Sequence, residues 1–172
     1  MISVQAEAGS RSSGIVSTIG TYRKFSRVGN GTTATNSMLF NDAAEGEIQL
    51  RLAPSWTLDL TGGSSMDQTY NYVGLGFRAS MPGFFLLGSE GNSYGKRQRS
   101  RKVETFLHTG MFKVTDRIDA TLPISYYSPR GGFTADILLS RNSDAFVSVD
   151  LSLQVLRGDI YVSYGLGLGY EF

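Results

Sequence analysis

The residue best suited to chemistry in this sequence is its one histidine, His108. A histidine can act as the general base for a serine nucleophile. One class of lipid-modifying enzymes has a serine two places after the histidine, but Gly110 occupies that position here. The chain has no cysteine, which excludes disulfides, thiolate metal sites and cysteine nucleophiles. We therefore predict that the protein is not an enzyme, with a catalytic His108 and a distant serine as the less favoured alternative.

Metal and cofactor sites have little support in the sequence. A second histidine is lacking, and the carboxylates are spread singly instead of clustering in a ligand loop. The segment Gly74-Leu75-Gly76 resembles part of a phosphate-binding loop only superficially, since no predicted helix follows it. We expect neither a metal nor a cofactor.

The charge balance argues against a nucleic-acid partner. Lys and Arg number 16 and Asp and Glu 15, so no net field favours an acidic ligand. The one dense basic stretch contains no aromatic residue on which a base could stack. Its cations are Lys96, Arg97, Arg99, Arg101 and Lys102.

The elements that must position these residues are β-strands. From Ile160 to Phe172, every second residue is large and apolar, and the residues between them are mostly small or polar. Successive side chains of a strand point to opposite faces, so this segment predicts a long strand with one apolar face. The same alternation occurs at 2–8, 47–52, 56–61, 118–127, 133–140 and 145–155.

Turn residues interrupt the chain at eleven places, which predicts twelve strands. The breaks include Pro129-Arg130-Gly131-Gly132 and the basic stretch at 95–102. The fold expected is all-β: a closed, antiparallel, up-and-down barrel that forms a single domain over residues 1–172. Alternation is poor over 29–45, so ten or eight strands remain alternatives. Asn41–Glu45 could instead begin a helix, but Gly46 and the alternation after it favour a turn into a strand.

Three features favour a transmembrane barrel over a soluble one. The strands are long, and a membrane-spanning strand needs roughly 9–11 residues where strands average about 5–6. The polar face carries few lysines, unlike a surface that meets water. Aromatic residues lie near strand ends, as in an interfacial girdle. They are Trp56, Tyr126, Tyr164, Tyr170 and Phe172. A soluble all-β domain stays the alternative.

The last eight residues, Gly165–Phe172, resemble the C-terminal signal of bacterial outer-membrane β-barrel proteins. In that family the barrel-assembly machinery recognises a terminal Phe, an aromatic or apolar residue two places before it, and an upstream glycine. Phe172, Tyr170 and Gly167 match this Gly-x-x-Tyr-x-Phe pattern, whereas Gly165 replaces a usual large polar residue. The resemblance implies the bacterial outer membrane, with its lipid, its lipopolysaccharide and the assembly machinery as partners. Residues 1–5 lack the features of a signal peptide, so we expect an exported form to be present here as the mature chain.

Nine charged residues are predicted to face the interior and line a pore. They are Glu7, Glu47, Arg51, Asp59, Arg78, Asp119, Asp136, Asp150 and Glu171. We predict a small passive channel, a porin for small hydrophilic solutes. The alternative is a plugged barrel that acts as a structural scaffold for an envelope protein partner. His108 is then interpreted as a histidine on a strand face near the membrane interface.

The placement of the turns follows from a periplasmic C-terminus. The turns at 29–31, 53–55, 81–83, 115–117 and 142–144 are then periplasmic, and the basic stretch at 95–102 becomes an external loop. There it could contact lipopolysaccharide phosphates or attract anionic solutes. A solvated hairpin tip is the simpler alternative.

Overall fold

The computed structural model describes residues 15–28, 42–53, 55–81, 103–117, 123–139 and 144–172. Within them lie eight strands: β1 (Val16–Arg27), β2 (Asp42–Ala53), β3 (Trp56–Ser65), β4 (Tyr70–Ser80), β5 (Val103–Asp116), β6 (Ile124–Leu138), β7 (Ala145–Leu156) and β8 (Asp159–Glu171). Each strand pairs antiparallel with its neighbours in sequence, and β1 also pairs with β8, so the sheet closes into an up-and-down barrel. None of the described residues form a helix long and apolar enough to cross a bilayer.

Alternation along each strand places polar side chains inside and apolar side chains outside. In β7, Ser148 and Asp150 are buried, whereas Leu151 is 55% exposed. In β8, Leu166 is 61% exposed and the intervening glycines face inward. This arrangement is the reverse of a soluble barrel and is typical of one that meets lipid. The predicted outward direction of the apolar rows is therefore confirmed for these strands.

The two ends of the barrel differ in their connections. We call the end at which β1 begins and β8 ends the terminal end, and the opposite one the distal end. The β2–β3, β4–β5 and β6–β7 connections lie at the terminal end, and the other four lie at the distal end. In the β7–β8 turn, Arg157 and Gly158 have φ values of 52° and 84°, as a type I′ hairpin requires. In the β3–β4 turn, the hydroxyls of Ser65 and Thr69 lower the pKa of Asp67 by hydrogen bonding.

Eight strands replace the twelve expected, and one cause lies in β6. The predicted turn at 129–132 is part of that strand, which runs without a break. Its ladder with β7 begins at Arg130, so Pro129, which has no N–H, lies beyond the end of that ladder. Gly132 is a packing glycine, because a Cβ there would lie 2.2 Å from the carbonyl oxygen of Leu151. The count of twelve also includes the predicted strand at 2–8, one strand between the predicted turns at 29–31 and 41–42, and one between those at 81–83 and 95–102. These three segments lie outside the described residues.

The strand count changes which connections share an end. β4 ends and β5 begins at the terminal end, the end that also holds the C-terminus. The sequence analysis placed the C-terminus and the basic stretch on opposite sides of the membrane. That prediction counted a turn at 129–132, which is absent because these residues belong to β6, so it does not follow from eight strands. The turn at 115–117 was predicted on the side of the C-terminus, but it lies at the distal end. Lys96, Arg97, Arg99, Arg101 and Lys102 themselves lie outside the described residues.

Two further predictions about strands need correction. The helical alternative at 41–45 is wrong for residues 42–45, which belong to β2. Tyr126 was assigned to the outer aromatic girdle, but it is partly buried and packs against the interior aromatic cluster. Its neighbour Tyr127 occupies the outer face and is 73% exposed. The other four girdle residues, Trp56, Tyr164, Tyr170 and Phe172, are exposed as predicted.

Candidate functional site in the barrel lumen

The predicted pore-lining residues that the structure describes face the interior. Glu47, Asp59, Arg78, Asp136 and Asp150 are buried, and Arg51 and Glu171 are partly buried near the terminal end. Glu7 and Asp119 lie outside the described residues. The sequence analysis missed four further charged side chains that are also buried inside the barrel: Arg23, Glu45, Asp116 and Arg130.

Arg23 connects two carboxylates in the middle of the barrel. Its Nε and Nη2 donate to the two oxygens of Glu45 at 3.0 and 3.1 Å. Its Nη1 donates to Asp150, and to the hydroxyls of Ser152 and Ser163 at 3.1 Å each. A guanidinium held in this way by β2, β7 and β8 joins strands from both sides of β1. It therefore fixes the cross-section of the barrel at this level.

Glu45 is shared by two arginines and a tyrosine. Besides Arg23, its Oε2 accepts hydrogen bonds from Arg130 Nη1 at 2.7 Å and from the hydroxyl of Tyr72 at 2.6 Å. The guanidinium carbon of Arg130 lies 4.0 Å from the ring centroid of Phe112, within the range of a cation–π contact. Thus a single carboxylate forms ion pairs with two guanidinium groups, and an aromatic ring contacts one of them.

A second cluster centres on Arg78. Its Nε donates to Asp59 at 3.0 Å, and its Nη2 donates to Glu47. Gln49 donates to Glu47 at 2.6 Å and accepts a hydrogen bond from Ser17. The register places this cluster nearer the terminal end than the Arg23 cluster. The two clusters occupy successive levels of the lumen.

His108 belongs to the interior, not to the membrane interface as predicted. It alternates with outward residues on β5, and its Nε2 lies 2.6 Å from Asp150 Oδ2. Thr134 donates to the same oxygen at 3.0 Å. The hydroxyl of Ser152 donates to the other oxygen of Asp150, at 3.0 Å, so the serine is oriented by the aspartate. The geometry places His108 in contact with Asp150, beside the Arg23 cluster.

Buried apolar side chains lie on both sides of this charged layer. Towards the distal end, a buried cluster is built largely from aromatic rings, among them Phe25, Tyr70 and Tyr161. Towards the terminal end, the described interior contains Ile19, Phe106 and Phe146, all buried. Charges between two apolar layers are shielded from water, which strengthens their mutual attraction.

The cavity that the charged residues line is small. It has a volume of about 20 Å³, and its walls include Arg78, Asp59, His108 and Arg130. Such a volume holds roughly one water molecule. An eight-stranded barrel leaves an interior that side chains can just fill. The arrangement can neutralise its own charges and hold water, but it offers no room at this level for a hydrated solute.

Inward glycines make this filling possible. A Cβ at Gly74 would lie 2.5 Å from the ring of Phe112, and one at Gly169 would lie 2.2 Å from the ring of Phe146. Gly167 faces Thr21 at similarly short range. In the C-terminal segment, Gly167 therefore has a packing role, whereas Tyr170 and Phe172 lie on the outer surface with ring centroids 5.1 Å apart.

Comparison with known proteins identifies the fold but no family. No protein-family model and no curated protein match the sequence. The N-terminal β-barrel domain of Pseudomonas aeruginosa OprF is similar with a TM-score of 0.63 and 16% identity, covering 93% of this chain and 98% of that one. A de novo designed transmembrane β-barrel has a TM-score of 0.58 and 13% identity, with 93% and 97% covered. The outer membrane protein Ail of Yersinia pestis, in a phospholipid nanodisc, has a TM-score of 0.52 and 11% identity, with 92% and 99% covered. The chain thus has the fold of the eight-stranded barrels of bacterial outer membranes.

Proposed function

We propose that the chain is an integral protein of the bacterial outer membrane whose lumen is closed. Its barrel serves as a rigid membrane anchor or scaffold for an envelope partner. The apolar outer face, the aromatic residues at both rims and the shared fold support the membrane location. The observation that carries the closed state is the filled interior, where the charged residues leave a cavity of only about 20 Å³.

The buried ion pairs support a structural role for the lumen. Breaking such a pair would leave a charge without its partner in a medium of low dielectric constant, which is strongly unfavourable. Arg23, Arg78 and Arg130 each contact at least one carboxylate. The network therefore holds the walls of the barrel together and resists the opening of a passage.

Insertion is proposed to depend on the barrel-assembly machinery. Tyr170 and Phe172 are exposed on the outer face at the terminal end. The backbone of the last residues pairs with its neighbours, since Phe172 N donates to Val16 O at 2.8 Å. The side chains of Tyr170 and Phe172 are accordingly available to an external protein while the strand completes the barrel.

A passive channel is the second candidate, and the polar middle of the lumen favours it. Five buried carboxylates, Glu45, Glu47, Asp59, Asp136 and Asp150, face three buried arginines there. If the ion pairs exchanged partners and opened a passage, this excess of negative charge would favour cations. Such a pore would require the ion pairs within the Arg23 cluster and within the Arg78 cluster to break.

Single-channel recording in a planar bilayer distinguishes the two functions. Heat-modifiable migration on a gel first establishes that the protein is folded. We expect a folded barrel to give no conductance steps. Reproducible steps from the folded wild-type protein would contradict the closed lumen and favour the channel.

We propose no enzymatic role. His108 is engaged with Asp150, and the cavity beside it holds about one water, which is too little space for a lipid. The variant His108→Gln tests this in a turnover assay with phospholipid or lipid A. We expect no turnover from either protein, and wild-type turnover that the variant loses would overturn the proposal.

A further inference from the structure

A ladder of polar side chains occupies the outer face of β5 and β6 at the distal end. Lys113 is exposed there, and its register partner on β6 is Tyr127. The next outward pair towards the rim is Thr115 and Ser125, whose hydroxyl oxygens lie 3.1 Å apart. Arg117, also exposed, follows directly after the strand. We call these five residues the β5–β6 rim cluster.

The surface below the rim cluster is apolar. The pair that follows Lys113 and Tyr127 towards the middle of the barrel is Met111 and Pro129. On the other side of β5, Lys113 pairs with Val73 and Met111 with Leu75, and both partners are exposed. From the rim towards the middle of the barrel, polar side chains are thus followed by apolar ones. A membrane lipid has the same order, with a polar headgroup followed by hydrocarbon chains.

Within the described parts of β4, β5 and β6, the outer face that carries this cluster has no carboxylate. Among the described residues of β4, β5 and β6, the carboxylates belong to the inner rows, and Asp116 pairs with Arg157. In the β3–β4 turn, Asp67 accepts hydrogen bonds from the backbone N–H and the hydroxyl of Thr69.

Lys24 offers a comparison at the same end of the barrel. It is also exposed on the outer face and lies across from an exposed tyrosine, Tyr164. Its partner on β2, however, is Asp42. The electrostatic surroundings of the two lysines therefore differ, although their heights on the barrel and their aromatic neighbours are similar.

We propose that the β5–β6 rim cluster binds the phosphate of a lipid headgroup, specifically a phosphate of lipid A, and that the distal end faces the leaflet that contains it. This inference rests on the proposed membrane location. Lys113 and Arg117 supply charge-assisted hydrogen bonds. The hydroxyl of Tyr127 supplies a neutral donor, and so does the one hydroxyl proton that the hydrogen bond between Thr115 and Ser125 leaves free. Long cationic side chains and tyrosines are suited to the interface because their apolar parts lie against hydrocarbon while their polar ends reach the headgroups. An acyl chain then runs along Met111 and Val73.

Lipid enrichment measured by native mass spectrometry tests the site. The protein is placed in phosphatidylcholine nanodiscs that contain a small fraction of bis-phosphorylated lipid A. We expect lipid A to remain bound above its bulk fraction, and Lys113→Gln to reduce that enrichment about fivefold, the effect of one interfacial cation. Arg117→Gln is expected to act in the same direction. Lys24→Gln is the matched control, and it should leave the enrichment close to the wild-type value.

Three results would overturn the proposal. Lys113→Gln could retain the full enrichment, Lys24→Gln could lose as much as Lys113→Gln, or fully dephosphorylated lipid A could be enriched equally. Heat-modifiable migration of each variant reports whether the barrel is folded and inserted. A folded barrel without enrichment contradicts the lipid site alone, whereas a chain that does not insert contradicts the proposed function as well.

Discussion

Neutralising Glu45 is expected to destabilise the barrel more than any exposed charge substitution. Its Oε2 accepts hydrogen bonds from Arg23 at 3.0 Å, Arg130 at 2.7 Å and Tyr72 at 2.6 Å. Only 1% of its side chain is exposed. The substitution Glu45→Gln keeps the shape but removes the negative charge, so that two guanidinium groups face each other across an amide.

The expected magnitude follows from burial. Removing one partner of a buried ion pair costs about 3–5 kcal/mol. Arg23 keeps Asp150 as a partner, so we expect the lower part of this range, about 3 kcal/mol of unfolding free energy. The control is Asp159→Asn, which breaks the pair between Arg27 and Asp159, whose side chains are 37% and 41% exposed. Water screens such a pair, and its loss costs about 0.2–1 kcal/mol.

Urea unfolding in lipid vesicles measures both changes. The chain has one tryptophan, Trp56, and it is exposed on the outer face near the terminal end. Its fluorescence therefore reports transfer from lipid to water without added labels. The reasoning is refuted if Glu45→Gln lowers the unfolding free energy by no more than Asp159→Asn does.

Other substitutions probe the packing of the interior and the nature of the outer face, all by urea unfolding in vesicles. Gly167→Ala would place a Cβ 2.5 Å from Thr21 Oγ1 and 2.9 Å from Gly20 O, so we expect a loss of about 1–3 kcal/mol. In Gly20→Ala the Cβ meets no atom within 4 Å, and equal losses for the two variants would contradict the packing role of Gly167. Leu166→Arg should cost about 2–4 kcal/mol if Leu166 meets lipid near the bilayer midplane, whereas a change within about 0.5 kcal/mol would indicate a water-exposed surface. Phe146→Ala should cost about 3–5 kcal/mol because the ring is fully buried, and a negligible loss would show that the terminal end of the lumen is not packed.

The outward and inward faces were predictable wherever a strand alternates strictly. The outward apolar residues are odd-numbered throughout β7 and even-numbered throughout β8. A period of two was therefore sufficient to place Asp150 inside and Leu166 outside. In β1 the pattern is irregular, because Ile19 is buried while Gly20 and Tyr22 lie outside. For that reason Arg23 could not be assigned to the lumen from alternation alone.

The predicted number of strands was wrong because a segment rich in proline and glycine can be a turn or part of a packed strand. Pro129 and the glycines after it have the composition of a turn, yet Gly132 is required by the approach of Ser152 and Leu151 on the next strand. That requirement is tertiary and is not visible in the local sequence. The same false turn hid Arg130, and the apparent helix start at 41–45 hid Glu45. The sequence therefore revealed inward carboxylates such as Glu47, Asp59 and Asp150, but neither Glu45 nor the pairing that fills the lumen.

The most direct test of the account is a nitroxide scan along β7, because its central claim is that the apolar rows contact hydrocarbon. The native chain has no cysteine, so single cysteines at positions 147–154 can each carry one spin label in lipid vesicles. We predict that labels at odd positions collide mainly with oxygen dissolved in the bilayer, while labels at even positions are shielded. Odd positions that collide mainly with a water-soluble nickel reagent would contradict the account.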